Sequence, residues 1–190
     1  MKKLFLLSMF SCLLFGANEM YSDKVKPVFT DATSNASVGR LLPTNGVEIL
    51  SKQNGRVKIK MQGYINPVAP NVVYFSDSER VIAIAFAKTA KFDSKLVKKG
   101  QNGKWDKVEV EAYTIDGDFY NEVDTMFARA KQTYADSCGI CHGLHETTHY
   151  KANQWPNLFK SMLSRTTVEK DDEWLIVQYL QKHSSDVKIK

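Results

Sequence analysis

Cysteine is scarce in this chain. Its 190 residues include three, Cys12, Cys138 and Cys141, together with four histidines. Three cysteines cannot build a disulfide-stapled scaffold, and Cys12 sits in a segment that reads as a removable leader. Its loss leaves one pair, two residues apart, with nothing elsewhere to pair with. Long apolar runs are missing too. The run at the start, Leu4 to Phe15, is shorter than the ~20 residues of a membrane-spanning helix, and no later run approaches that length. The formal net charge is only +5, and it falls to +3 if Lys2 and Lys3 leave with the leader. That balance lacks the basic excess of a nucleic-acid binder, so no nucleic-acid partner is expected.

The first segment has the plan of an export signal. Lys2 and Lys3 precede the apolar run, and the small residues Gly16 and Ala17 follow it. Residues 1–17 are expected to be a signal peptide, and the remainder a soluble periplasmic protein. Export matters chemically, because it places Cys138 and Cys141 in an oxidising compartment.

The remaining cysteines stand in Cys138-Gly139-Ile140-Cys141-His142. This is the form of a covalent haem attachment site: each thiol adds across one haem vinyl group, and the adjoining imidazole becomes an iron ligand. One haem c held by Cys138, Cys141 and His142 is therefore expected. A permanently attached haem suits electron carriage better than substrate exchange, so the chain reads as an electron-transfer protein and not an enzyme.

Residues 18–37 are polar with little periodicity and read as a linker. From Val38 the pattern is of short strands. Val47 to Leu50 and Val57 to Met61 flank Asn54-Gly55, a hairpin signal because both turn residues tolerate positive φ. Val57, Ile59 and Met61 fall on one face, Lys58 and Lys60 on the other. Val81 to Ala87 reads as a buried strand, and Val108, Val110 and Ala112 as the inner face of another. About five strands at this spacing suit a small barrel. After Gly117 the period becomes helical: Phe119, Val123, Met126, Phe127, Ala130 and Tyr134 form one stripe leading into Cys138. Pro156 opens a short helix carrying Trp155, Phe159 and Met162. Thr166 and Glu169 read as a capping box for a last helix with Trp174 to Leu180 as its buried surface. The expected fold is α+β, with a small Src-homology-3-like β barrel over residues 38–117 and a small helical cytochrome c-like haem domain over 118–190.

With these residues identified, the chain resembles the C-terminal region of the pentahaem c-type cytochrome of the bacterial trimethylamine-N-oxide reductase system. The likeness rests on Asn54 to Ile59 with Gly63-Tyr64, on Cys138 to His142, and on the segments Ala152 to Pro156, Lys160 to Met162 and Tyr179 to His183. That family carries a membrane-anchored region with four further haems ahead of this part, whereas this sequence has one attachment motif and no visible anchor. The resemblance implies a monohaem relay station. Electrons would come from a membrane quinol dehydrogenase or another cytochrome and pass to a periplasmic molybdenum-containing N-oxide or S-oxide reductase. It also favours Met162 as the distal iron ligand, with His149 the alternative and His145 behind it; His183 reads as exposed. As plain chemistry, Met162 could equally be core beside Trp155 and Phe159.

Other classes fit less well. A zinc site from Cys138, Cys141, His145 and His149 has its two ligand pairs too close in sequence to converge as in a zinc finger. A thiol–disulfide oxidoreductase needs a low-pKa cysteine at a helix start, and Cys138 follows a helix. A haem-based redox or gas sensor would keep the haem and lack the Met162 ligand. Six lysines against one aspartate between Lys88 and Lys104 read as a solvated face or as a patch steering an acidic partner.

Overall fold

The computed structural model describes residues 18–140 and 143–188. The expected signal over 1–17, and Cys141 and His142, lie outside the described residues. Eight antiparallel strands come first: β1 (Lys26–Phe29), β2 (Gly39–Leu41), β3 (Glu48–Gln53), β4 (Arg56–Ile65), β5 (Val72–Tyr74), β6 (Ile82–Phe86), β7 (Ser94–Lys98) and β8 (Asp106–Ile115). Three helices follow: α1 (Asp124–Cys138), α2 (Trp155–Leu163) and α3 (Glu173–Lys182).

Alternation along the two longest strands builds the barrel. Val57, Ile59 and Met61 of β4 and Val108, Val110 and Ala112 of β8 are buried. On the outer face Lys58 pairs with Glu111 at 2.6 Å and Lys60 with Glu48 at 2.6 Å. The Asn54-Gly55 hairpin forms as expected, with φ of 53° and 71°. Strands β4-β5-β6-β2-β1-β8 run in sequence around the barrel, and the ten-residue pairing of β8 with β4 closes it. Closure removes the open edges of these six strands. β3 and β7 flank the ring, each paired with one long strand.

Two features depart from the sequence expectation. Lys26–Phe29, within the expected linker, is a barrel strand between β2 and β8. Val28 and Phe29 explain this, since both are buried in the molecule. The expected α+β division, with a separate helical cytochrome c-like domain, is not what is seen. The molecule is mostly sheet, and the helices are layered onto a closed six-stranded barrel larger than the five-stranded one expected.

The reason lies in α3, which is buried from Leu175 to Lys182. Its apolar residues meet α1 and α2 in a core that includes Phe127, Ala130, Trp155 and Phe159. Its polar residues hold the barrel. Gln178 Nε2 donates to Ile82 O at 2.9 Å. Lys182 Nζ donates to Thr44 O at 2.7 Å, Thr44 Oγ1 at 3.1 Å and Asn45 Oδ1 at 3.0 Å. These residues look like a solvated face in the sequence, yet they are the joint. The expected capping box is also replaced: Thr166 Oγ1 donates to Leu163 O at 2.9 Å at the end of α2, and α3 begins later, at Glu173.

Candidate functional site

Cys138 is the last residue of α1 and is half-buried against the helical core. Burial pushes its thiol above the ordinary range. Met126, Phe127, Ala130 and Tyr134 anchor the inner face of α1 and so fix where its C-terminal turn delivers this cysteine. Cys141 and His142 lie outside the described residues.

Next to Cys138 is a cavity of about 400 Å³. Tyr134, Trp155 and Phe159 supply aromatic walls, and Met162 lies in the same lining as Cys138. The volume falls within the range of ligand pockets, about 300–1,000 Å³, and the lining has their mostly apolar character. Trp155 and Phe159 are buried because Pro156 starts α2 with that face toward α1 and α3. Met162, one turn further on, is 38% exposed.

Hydrogen bonds shape the loop over the cavity. Tyr134 Oη donates to His145 O at 3.1 Å, and Trp155 Nε1 donates to Thr147 O at 3.0 Å. The Tyr150 ring meets Trp155 edge-on, 5.1 Å between centroids. Burial raises the Tyr134 hydroxyl to about 12, so it stays a neutral donor at physiological pH.

The histidines separate. His145 lines the cavity. His149 is in a short 3₁₀ turn, Thr147–His149, outside that lining, with its ring 4.9 Å from His145 and 4.6 Å from Tyr150. His183, expected to be exposed, is half-buried, with its ring 4.8 Å from Phe127 and Nδ1 2.8 Å from Tyr179 O. Among the described residues, no three His, Cys, Asp or Glu side chains converge as metal ligands. Tyr150, Ser137 and Arg165 also line the cavity. Arg165 lies past the end of α2, so helical periodicity in the sequence does not join it to Met162.

The residues present fit a haem. The walls are aromatic and apolar, and one motif thiol and one thioether reach the same space. The sequence profile described as the TorC third cytochrome c domain matches residues 15–119, just over half the chain and all eight strands. The chain belongs to this family. Cytochromes c of this type are electron-transfer proteins and not enzymes. The chain is 26% identical over 186 residues to the cytochrome c-type protein TorC of Escherichia coli O157:H7, covering 93% of this chain and 48% of that protein. With TorC of Escherichia coli strain K12 it shares 26% identity over 172 residues, 88% of this chain and 44% of the relative. The cytochrome c-type protein TorY of Haemophilus influenzae is 22% identical over 152 residues, 78% of this chain and 41% of TorY. The chain thus spans about half the length of the relatives it matches. No solved structure matches it significantly. Among the described residues, no helix is long and apolar enough to cross a membrane.

Proposed function

We propose that this chain carries one covalent haem c and relays electrons in the periplasm, reached by export through residues 1–17. The donor would be a quinol dehydrogenase or another cytochrome, and the acceptor a molybdenum-containing N-oxide or S-oxide reductase. The observation that carries this reading is the shared lining of Cys138 and Met162 in an aromatic cavity. The names of the TorC and TorY relatives support the placement in a respiratory relay of this kind.

Cys138 and Cys141 would hold the cofactor as thioethers, and His142 and Met162 would bind the iron. The haem supplies a one-electron couple, and a methionine paired with a histidine raises its potential. Trp155, Phe159 and Tyr134 would exclude water from the porphyrin. Because α1 is packed against α3, and α3 is fastened to the barrel, Cys138 stands on a rigid support.

Cys138 itself argues against thiol–disulfide exchange. It sits at the C-terminal end of a helix, where the dipole disfavours a thiolate, and its thiol is shifted upward by burial. The direct test follows electron transfer from reduced, haem-loaded protein to a purified N-oxide reductase. Rapid oxidation only when reductase and N-oxide are both present supports the proposed acceptor, and unchanged reduced spectra would reject it.

A further inference from the structure

The residues proposed to hold the haem leave one part of the cavity lining without a role. After α2 the chain turns with Arg165 N donating to Met162 O at 2.9 Å and Thr166 N to Leu163 O at 3.1 Å. This turn brings Arg165 into the lining beside Met162. Among the described residues no Asp or Glu lines the cavity, and Arg165 is the one permanently charged side chain in its lining. Among the described residues its guanidinium makes no ion pair, whereas Arg129 bridges Asp23 at 2.9 Å and Asp172 at 3.3 Å. Ser137, Ser161 and Thr166 share the lining, but the Ser161 and Thr166 hydroxyls already donate to Leu158 O at 2.7 Å and Leu163 O at 2.9 Å.

An apolar cavity with an arginine in its lining is complementary to a ligand with an apolar body and an anionic end. Haem is such a ligand, with two propionate carboxylates on a flat apolar macrocycle. The planar guanidinium offers two parallel N–H donors to a carboxylate, which fixes direction as well as position. We propose that Arg165 pairs with a haem propionate and so offsets its charge and holds that carboxylate at this end of the cavity. This rests on the haem assignment made above. The competing role is a cation past the end of α2 that merely favours the helix dipole. Lys160, in the last turn of α2 and outside the cavity lining, has the same charge and serves as the comparison.

The test uses full-length haem-loaded protein with Arg165→Gln, Arg165→Lys and Lys160→Gln. Covalent haem is first confirmed by mass and by peroxidase staining. Midpoint potential and the propionate bending band in resonance Raman spectra are then measured. Losing the guanidinium leaves a propionate charge uncompensated and favours the oxidised iron. Arg165→Gln is therefore expected to shift the one-electron equilibrium about tenfold toward oxidation, a fall of about 59 mV. The propionate band should move in both Arg165 variants, while Lys160→Gln leaves both readouts at wild-type values. A haem-bearing Arg165→Gln that matches Lys160→Gln in both readouts overturns the assignment to Arg165 and leaves the haem reading standing. Wild-type protein without covalent haem overturns both. Should Arg165→Gln fail to mature, an unshifted propionate band in Arg165→Lys overturns the inference.

Discussion

Met162 is 38% exposed, far more open than Trp155 and Phe159 on the same helix. Truncating a buried methionine typically costs about 2–5 kcal/mol. Met162→Ala is expected to cost less than that, about 1 kcal/mol by urea denaturation, because more than a third of its surface stays in water. The same variant should keep its covalent haem yet lose the weak absorption from sulfur-to-iron ligation in the oxidised protein. A large stability loss with that absorption retained would make Met162 core and remove it as a ligand. Asn45 is the contrasting case. It is buried, accepts from Lys182 Nζ, and its amide donates to Leu42 O at 3.1 Å and Pro43 O at 3.0 Å. Asn45→Ala strands these groups, and a cost of about 1–3 kcal/mol is expected from thermal or urea unfolding.

Among the elements, the β3–β4 hairpin was fully legible, since Asn54 and Gly55 both take positive φ. A Cβ at Gly55 would meet nothing within 4 Å. Gly55→Val should therefore cost about 1–2 kcal/mol through backbone strain alone, with an unchanged haem spectrum. Strand alternation in β4 and β8 was legible for the same local reason. Strand β1 was not, because Lys26-Pro27 breaks its pattern and one of its two partners, β8, lies far along the chain. The capping box at Thr166 failed because its hydroxyl closes α2 instead. Helix α3 was found, but its partnership was hidden: Gln178, Gln181 and Lys182 carry a polar signature and reveal their burial only through non-local acceptors on Ile82, Ala152, Thr44 and Asn45. At the site the Trp155–Phe159–Met162 stripe was legible, since all three residues line the cavity. Arg165 and Tyr150 gain meaning only once α1 and α2 enclose a cavity.

At the scale of the molecule, Lys182 joins helices to barrel and gives stability a pH dependence. It is fully buried among neutral acceptors, and desolvation brings it from 10.5 down to about 7, partly opposed by Glu19. Between about pH 7 and 10.5 the unfolded lysine binds more proton than the folded one, so its contribution to stability grows as pH rises. That contribution is complete above 10.5 and is lost as pH falls through about 7. Burial raises Tyr21 and Tyr134 to about 12, and this works in the opposite direction above pH 10. Urea midpoints are therefore expected to climb from pH 7 to about 9.5, and Lys182→Met should flatten the climb. Barrel and helix probes should report one shared transition, because α3 belongs to both cores.

The central measurement is the intact mass of the full-length protein, denatured after expression with c-type haem maturation and alongside Cys138→Ala and His142→Ala. Wild-type protein is expected to carry the mass of one haem that resists acid and organic extraction. Cys138→Ala should lose all or most of it, and His142→Ala should lack a normal low-spin spectrum. An unmodified wild-type mass, with no peroxidase stain on a denaturing gel, would contradict covalent haem at Cys138 and Cys141.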